Sequence, residues 1–280
     1  MSRIVVVTGS ASGIGAAAAA GFAAAGDTVI ATVRNPGSAD ELRALVGDAA
    51  NVSIEGLDVT DRAAAEATID GVITRYGRID VLVNNAGVGS KGTLEELAVE
   101  DFEASMAVNF YGVLYTTKRA FPHMRRAGSG RIIAVTSLGG VLGQPFNDAY
   151  CAAKFAVEGL YESLRPVAAG CGVHVTIFEP GPVATAFSAK SRAAALPSTD
   201  VDEPIRTFHQ RYDDMMAGGR PGQSSADCAA EILAVANDPA PKLRYQSSKF
   251  TSKLAGLKLA DLDGERVLGL TSNWIADPAG

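Results

Sequence analysis

The order of hydrophobic and polar positions predicts strands and helices in alternation along the chain. Six short runs rich in β-branched residues are bounded by turn-forming residues, and they lie at 4–7, 28–33, 52–57, 79–83, 131–136 and 173–178. Runs of this length suit strands that are buried on both faces, and the intervals between them are long enough for crossover helices. The pattern therefore predicts an α/β fold of the doubly wound Rossmann type, with a parallel sheet.

The intervals predict helices, which lie at about 14–25, 38–46, 61–76, 99–126 and 149–169. Asp61 is of a residue type favoured at helix N-caps, and Gly77 follows a predicted helix end, where glycine is favoured. A run at 243–246 predicts a seventh strand, ahead of a helical tail at about 247–280. No repeat or low-complexity linker divides the sequence, so we expect a single domain over 1–280.

The pattern changes after the sixth strand, where residues 182–222 contain several prolines and short helical stretches but no predicted strand. An irregular insertion of this length predicts a helical substrate lid, and a loosely packed surface excursion is the alternative. His209, in this segment, is expected either to contact substrate or to lie at the surface. The apolar candidates for substrate contact are Leu142, Phe146, Phe187, Phe208 and Met215.

A glycine-rich turn joins the first strand to the first helix. The sequence TGSASGIG at 8–15 places glycines at 9, 13 and 15. Glycine allows the backbone to turn tightly and to approach a pyrophosphate, and the N–H groups at the start of a helix favour its negative charge. The turn therefore predicts a dinucleotide site, with an ordinary strand-to-helix turn as the alternative.

The end of the second strand bears on which dinucleotide is bound. This strand is followed by Arg34, where an NAD site normally has an acidic residue for the ribose 2′-hydroxyl. A guanidinium suits the 2′-phosphate of NADP, so NADP(H) is expected and NAD(H) is the second choice; a solvated surface arginine is the alternative. Asp58, after the third strand, is placed either to accept a hydrogen bond from an adenine amino group or to form a turn.

Four polar residues form the candidate catalytic set. Tyr150 and Lys154 are four residues apart in a predicted helix, so they project from one face, although this spacing alone is uninformative. An ammonium beside a phenol should lower the pKa of the tyrosine toward working pH, which suits acid–base chemistry. Ser137 follows the fifth strand, where its hydroxyl can stabilise charge on a reacting oxygen. Asn109 lies inside a predicted helix, where an asparagine needs polar partners.

Together these motifs resemble the short-chain dehydrogenase/reductase family. The match covers about residues 3–188 and comprises TGSASGIG, the NNAG of 84–87, Asn109, Ser137, YCAAK at 150–154 and PG at 180–181. The resemblance implies that Asn109, Ser137, Tyr150 and Lys154 are the catalytic residues, and that Lys154 also holds the nicotinamide ribose. The turn, Arg34 and the resemblance together predict a cofactor site lined by Gly9, Ser10, Ser12, Gly13, Ile14, Gly15, Arg34, Asp58, Val59, Asn85, Ala86, Gly87, Tyr150, Lys154, Pro180, Gly181, Val183 and Thr185.

Longer stretches look like one branch of that family, which contains 17β-hydroxysteroid dehydrogenase type 1 and retinol dehydrogenases. They are FNDAYCAAKFAVEGLYESL at 146–164, FEPGPVATAF at 178–187, RTFHQRY at 206–212 and PKLRY at 241–245. The likeness implies an NADP-dependent oxidoreductase that interconverts an apolar, steroid-, retinoid- or lipid-like alcohol and its carbonyl by hydride transfer, with tyrosine as general acid/base. It also implies a homodimer or homotetramer. The alternative from another class of protein is an NADP-binding regulatory sensor with little or no turnover.

Composition and charge argue against several other classes of protein. Hydrophobic residues make up 47% and charged residues 20%, which is typical of globular proteins, and a net charge of −6 gives no nonspecific attraction to nucleic acid. Three scattered cysteines predict no disulfide framework, and three separated histidines predict no metal site. No targeting segment or membrane-length apolar run is recognised, so a cytoplasmic location is expected.

Overall fold

The computed structural model describes residues 2–185, 203–217 and 222–260. The strands in these ranges are β1 (Ile4–Val7), β2 (Thr28–Val33), β3 (Val52–Gly56), β4 (Val81–Asn84), β5 (Gly130–Val135), β6 (Val173–Glu179) and β7 (Arg244–Gln246). They form one seven-stranded sheet in the order β3–β2–β1–β4–β5–β6–β7, and every neighbouring pair is parallel. The predicted α/β fold is confirmed, and each predicted strand agrees with the observed one to within two residues at either end.

The helices in the described ranges are α1 (Gly13–Ala24), α2 (Asp40–Val46), α3 (Arg62–Tyr76), α4 (Val99–Met106), α5 (Gly112–Ala127), α6 (Asp148–Ala169), α7 (Ile205–Ala217), α8 (Ser225–Asn237) and α9 (Lys249–Leu259). The predicted helix at 99–126 is divided, because a π-helical turn at Ala107–Tyr111 separates α4 from α5. The other predicted helices are confirmed, and α9 confirms the start of the helical tail, of which 261–280 lie outside the described residues. None of the described helices is both long and apolar enough to span a membrane.

The sheet is covered on both faces because its strands carry apolar side chains on both sides. Along β1, Val5 and Val7 belong to the core that includes α1 and α8, whereas Ile4 and Val6 belong to the core formed with α3, α5 and α6. All four side chains are at most 7% exposed. Polar side chains therefore gather at the carboxyl ends of the strands, where the change of winding direction between β1 and β4 opens a crevice.

The ends of α3 show how the sequence sets the boundaries of an element. The Asp61 carboxylate accepts a hydrogen bond from the N–H of Ala64 at 3.0 Å, which confirms it as the N-cap. Gly77 ends the helix with a φ of +76°, a conformation that favours glycine.

Candidate active site

The glycine turn between β1 and α1 is packed too closely for larger side chains. Gly9 has a φ of +69°, and a Cβ on it would lie 2.6 Å from the Cα of Ala86. A Cβ on Gly15 would lie 2.4 Å from the carbonyl oxygen of Gly9, and one on Gly13 would lie 3.2 Å from Thr185 Cγ2. The turn therefore has the tight geometry with which a backbone approaches a pyrophosphate.

The side chains of Thr8 and Asn85 tie this turn to the loop after β4. The Thr8 hydroxyl accepts hydrogen bonds from the backbone N–H groups of Asn85 and Ala86, at 3.0 and 3.1 Å. The Asn85 amide donates to the carbonyl oxygens of Thr8 and Gly9, both at 3.0 Å. Asn85, a predicted cofactor residue, therefore uses its side-chain amide to position the glycine turn.

The two serines of the turn differ in their surroundings. Ser10 is fully buried, and its hydroxyl donates to the carbonyl oxygen of Val7 at 2.9 Å. Ser12 is exposed at the N-cap of α1, where its hydroxyl does not cap the helix. Ile14, in the first turn of α1, is partly buried. Of the predicted serines, Ser12 is therefore the one with a hydroxyl accessible to a ligand.

Arg34 and Asp58 lie at the carboxyl ends of neighbouring strands, β2 and β3. Arg34 is exposed. Asp58 accepts hydrogen bonds from the N–H and hydroxyl of Thr60, at 3.0 and 2.8 Å, which lower its pKa together with a smaller effect of Arg34. Val59 is buried against Gly112 at the start of α5. The structure thus shows the turn role of Asp58, and its contact with adenine stays a prediction.

A carboxylate that the sequence analysis missed reaches the start of α1. Glu41 Oε1 accepts a hydrogen bond from the backbone N–H of Gly13 at 2.9 Å. Because the N–H groups at a helix start favour anions, this carboxylate occupies an anion position at the edge of the predicted dinucleotide site. Glu41 belongs to the first turn of α2, and no motif or spacing in the sequence connects it with Gly13.

Ser137, Tyr150 and Lys154 meet at the carboxyl end of β5. The side chains of Ser137 and Tyr150 share a hydrogen bond, and Ser137 Oγ also accepts one from the N–H of Gly139 at 3.0 Å. Lys154 Nζ donates to the carbonyl oxygen of Val135 at 3.1 Å and lies 5.7 Å from the centroid of the Tyr150 ring. The structure therefore brings these three predicted catalytic residues into one group.

Burial has the largest effect on the pKa values of Tyr150 and Lys154. It raises the pKa of the Tyr150 phenol to about 12, against the lowering effect of the Ser137 hydrogen bond. It lowers the pKa of the Lys154 ammonium to about 8, although the Glu158 carboxylate raises that pKa. The pKa of Tyr150 is therefore raised and not lowered, contrary to the expectation from the Lys154 spacing, because burial of the phenolate outweighs the Ser137 hydrogen bond.

Asn109 lies fully buried in the π-helical turn between α4 and α5. Its Nδ2 donates to the carbonyl oxygen of Val88 at 2.9 Å and to Ser105 Oγ at 3.2 Å, and its Oδ1 accepts from the N–H of Val88 at 3.1 Å. A Cβ on Gly87 would lie 2.9 Å from Asn109 Oδ1 and 3.6 Å from Lys154 Nζ, so both side chains border the same glycine. The widened turn gives Asn109 the polar partners that an asparagine inside a helix requires.

The loop after β6 forms another wall of the crevice. Pro180 and Val183 are buried, and the N–H of Gly181 donates to Ser247 Oγ at 3.2 Å. The Thr185 side chain reaches the glycine turn. The loop is thus fixed on the body of the protein up to residue 185, next to the start of α1.

The helix α7, within the predicted lid, is held to the body by polar and aromatic contacts. His209 Nε2 lies 2.8 Å from Glu96 Oε2, and the His209 and Phe146 ring centroids are 3.9 Å apart. The Tyr212 hydroxyl accepts a hydrogen bond from Asn147 Nδ2 at 3.2 Å. His209 is only 2% exposed, so the expectation of a surface histidine is wrong.

The predicted substrate residues differ in how they are placed. Phe208 and Met215 on α7 are partly buried. Leu142 is 0% exposed and packs with Leu138 and Leu254, so it lies in a small core rather than at an open surface. Phe187 lies outside the described residues. Phe146 is 5% exposed and stacks on His209, so Phe208 and Met215 are the predicted substrate residues with partly exposed side chains.

A buried polar network beneath the site also escaped the sequence analysis. Asn84 Nδ2 donates to Thr117 Oγ1 and to the Tyr161 hydroxyl, both at 2.9 Å, and Asn84 Oδ1 accepts from Thr116 Oγ1 at 2.7 Å. These contacts join β4 to α5 and α6, the helices beside the catalytic group. The NNAG motif includes Asn84, but its partners are 32 to 77 residues away and carry no signal of their own.

Comparison with known proteins places this fold and site in one family. A family model for short chain dehydrogenases matches residues 3–196. Human 17-beta-hydroxysteroid dehydrogenase type 1 is 36% identical over 275 residues, which cover 93% of this chain and 82% of that protein. Human retinol dehydrogenase 8 is 33% identical over 276 residues, which cover 94% of this chain and 86% of that protein.

Solved structures agree with the sequence comparisons. A short-chain dehydrogenase from Streptomyces avermitilis has a TM-score of 0.82 at 31% identity, covering 99% of this chain and 100% of that chain. ElxO with NADP bound has a TM-score of 0.73 at 26% identity, covering 90% of this chain and 100% of that chain. The fold and site thus define a Rossmann-fold oxidoreductase. The chain belongs to the short-chain dehydrogenase family, and its resemblance to the branch with 17β-hydroxysteroid and retinol dehydrogenases is confirmed.

Proposed function

We propose that this protein is an NADP(H)-dependent oxidoreductase that interconverts an apolar alcohol, steroid-, retinoid- or lipid-like, and its carbonyl compound. The observation that carries the proposal is the group formed by Ser137, Tyr150 and Lys154 at the same sheet edge as the glycine turn. A protein that only sensed a dinucleotide would have no chemical need for a proton donor and a buried ammonium at that place.

The crevice has features that fit a nicotinamide dinucleotide. The close packing at Gly9 and Gly15 holds the tight turn with which a backbone approaches a pyrophosphate, and the exposed Ser12 hydroxyl lies at the start of α1. The Lys154 ammonium has three N–H donors, of which one has a hydrogen-bond acceptor among the described residues, the Val135 carbonyl oxygen. The remaining donors suit the hydroxyl groups of a ribose. These residues would hold the cofactor.

Side chains of the protein donate and accept the proton, whereas a bound nicotinamide would supply or accept the hydride. Tyr150 holds its proton at neutral pH, because its pKa is about 12, and so it can donate that proton to a substrate carbonyl oxygen. The Ser137 hydroxyl stabilises the charge that develops on the same oxygen. Lys154 returns a proton toward Tyr150, with Asn109 supporting a water relay. Alcohol oxidation follows the same path in reverse.

Arg34 supports the choice of NADP(H) over NAD(H). Its guanidinium is exposed at the end of β2, residues 34–39 directly after that strand include no acidic residue, and guanidinium groups bind phosphate well. ElxO, at 26% identity, is a structural relative with NADP bound. Glu41 weakens the preference for NADP(H), because its carboxylate beside Gly13 would repel a phosphate. We propose a preference for NADP(H), with NAD(H) as the weaker ligand.

The substrate class is supported by the lid and by the relatives. Phe208 and Met215 lie partly buried on α7, and apolar linings suit apolar ligands. The relatives at 36% and 33% identity are named as a hydroxysteroid and a retinol dehydrogenase. A small apolar alcohol or ketone is therefore the proposed substrate.

We also propose a homodimer or homotetramer. Tyr111, just before α5, and Phe155 on α6 are 43% and 40% exposed, and aromatic side chains exposed on neighbouring elements favour association. The molar mass in solution, measured by light scattering, tests this assembly.

The test of function begins with NADPH and NADH binding to the purified protein, followed by turnover of apolar ketones and alcohols at the reduced-nicotinamide absorbance band. Tyr150→Phe should lower kcat about 100-fold or more and should change NADPH affinity far less, because the aromatic ring at the predicted cofactor site remains. Tyr76→Phe makes the same chemical change on α3 and serves as the control. Near wild-type turnover of Tyr150→Phe contradicts the assignment. Tight NADPH binding without turnover across the panel favours the sensor, and a preference for NADH overturns the argument from Arg34.

A further inference from the structure

A row of buried charged side chains extends from Lys154 away from the crevice. Glu158 lies one turn after Lys154 on α6, where it accepts hydrogen bonds from Thr136 Oγ1, at 2.7 Å, and from the Arg244 guanidinium. Arg244 also donates to Glu179 Oε1 at 2.7 Å. Lys154, Glu158 and Glu179 are 3%, 4% and 0% exposed. The charges alternate in sign from the catalytic lysine to the last strand, β7.

We propose that Glu158 is a positioning residue for the catalytic lysine: its carboxylate, held by Arg244 and Thr136 next to the Val135 carbonyl that binds Lys154, supplies the buried counter-charge of the lysine ammonium. The role of Lys154 in this inference rests on the proposed function, whereas the contacts themselves do not.

The surroundings of Lys154 show why a counter-charge is required. Within the described residues, the Lys154 ammonium donates to the Val135 carbonyl, lies 5.7 Å from the centroid of the Tyr150 ring, and borders Gly87 together with the Asn109 amide. The Glu158 carboxylate, bound to the adjacent Thr136, acts on the ammonium through space and not through a direct ion pair. Among them, only Glu158 carries a negative charge. Burial lowers the pKa of Lys154 to about 8, and Glu158 opposes that shift. Loss of the carboxylate would therefore release the lysine proton at a lower pH.

Arg244 keeps the Glu158 carboxylate ionised. Burial and the neighbouring Glu179 raise the pKa of Glu158 to about 7, and the hydrogen bonds and charge of Thr136 and Arg244 oppose that rise. With this pKa, Glu158 is mostly ionised at pH 8, near the pKa of Lys154. A Cβ on Gly140 would lie 2.9 Å from Glu158 Oε1, so a residue larger than glycine at position 140 would crowd the carboxylate.

Glu162 provides a matched control on the same helix. It lies one turn beyond Glu158, and its carboxylate also faces Arg244, at 3.5 Å from the guanidinium. Its side chain is 58% exposed, so water screens its charge. The same Glu→Gln change at the two positions therefore separates a buried counter-charge from a general loss of negative charge on α6.

The direct test is an NMR titration of the Lys154 amino group in cofactor-free protein with isotope-labelled lysine side chains, assigned through Lys154→Arg. We expect a wild-type midpoint at about pH 8. Glu158→Gln, whose amide oxygen can keep one of the two hydrogen bonds because they end on different carboxylate oxygens, should lower the midpoint by about one pH unit or more. Arg244→Gln should shift it in the same direction because Glu158 then takes up a proton. Glu162→Gln should leave it unchanged.

The pH profile of turnover supplies a second readout that a merely structural role would not move. In Glu158→Gln the alkaline fall of kcat should begin about one pH unit lower, with little change in KM. An unchanged Lys154 midpoint in Glu158→Gln, or an equal shift in Glu162→Gln, overturns the proposal. If no variant and no wild-type protein turns over any substrate, the proposed function fails, and the NMR titration still decides the role of Glu158.

Discussion

Replacing His209 by alanine should release α7 from the body of the protein. The side chains of His209 and Glu96 are 3% and 8% exposed, and the nitrogen and oxygen that join them are 2.8 Å apart. The same imidazole stacks on Phe146, with 3.9 Å between ring centroids. Lys91 and Asp213 form a further ion pair between the body and α7. Because α7 is not part of the sheet or its two cores, we expect the helix to undock while the fold persists.

The structure sets the size of this effect. Removing one partner of a buried hydrogen bond costs about 1–3 kcal/mol, and more where the group left behind is a carboxylate. The N–H of Thr93 still donates to the same Glu96 oxygen, at 2.8 Å, which limits the loss. We therefore expect about 3 kcal/mol. Since each 1.4 kcal/mol is a factor of ten, the undocked fraction of α7 should rise about 100-fold.

Amide hydrogen exchange resolved along the chain measures this undocking directly. In His209→Ala, protection within 205–217 should fall about 100-fold while the strands of the sheet keep theirs. Gln210→Ala is the control, because this neighbouring side chain is exposed and bonds within α7 to Asp214. The substrate KM should rise and the NADPH affinity should stay the same. Unchanged protection in α7, or a loss spread evenly over the whole chain, would refute the reasoning.

Two further substitutions test the dinucleotide site. Gly9→Ala should weaken NADPH binding at least tenfold, because its φ of +69° and a Cβ only 2.6 Å from Ala86 Cα force the turn to move. Gly71→Ala, on α3 with nothing within 4 Å of the new Cβ, is the control, and calorimetric titration of both variants would show equal affinities if the turn were unimportant. Glu41→Gln should tighten NADPH roughly fivefold, about 1 kcal/mol, by removing the carboxylate at Gly13, with a smaller gain for NADH. Equal gains for both dinucleotides would show that Glu41 does not discriminate between them.

The strands and most helices could be predicted from the sequence because their signals are local. The run at 4–7 is apolar on both faces since both faces are buried, and Asp61 and Gly77 mark the ends of α3. The π-helical turn could not be predicted in this way. It follows from the contacts of Asn109 with Val88, which precedes it by 21 residues on a separate loop.

The candidate site shows the same difference between local and distant signals. Its motif residues come directly after individual strands, so a parallel sheet brings them together at one edge. The side chains that hold or adjust these residues come from distant parts of the chain, with no periodicity to connect them. Glu41 and Gly13 are 28 residues apart, Glu96 and His209 are 113 apart, and Glu158 and Arg244 are 86 apart.

The protonation of Tyr150 shows what tertiary burial adds to a correct local pattern. The four-residue spacing places Lys154 near the phenol, yet burial raises the tyrosine pKa to about 12 and lowers that of the lysine to about 8. A phenol that holds its proton is ready to donate it to a carbonyl oxygen, whereas alcohol oxidation requires that proton to leave. In the proposed mechanism, the positive charge of Lys154 near the ring favours removal of that proton. We therefore expect Glu158, the proposed counter-charge of Lys154, to matter more for oxidation than for reduction.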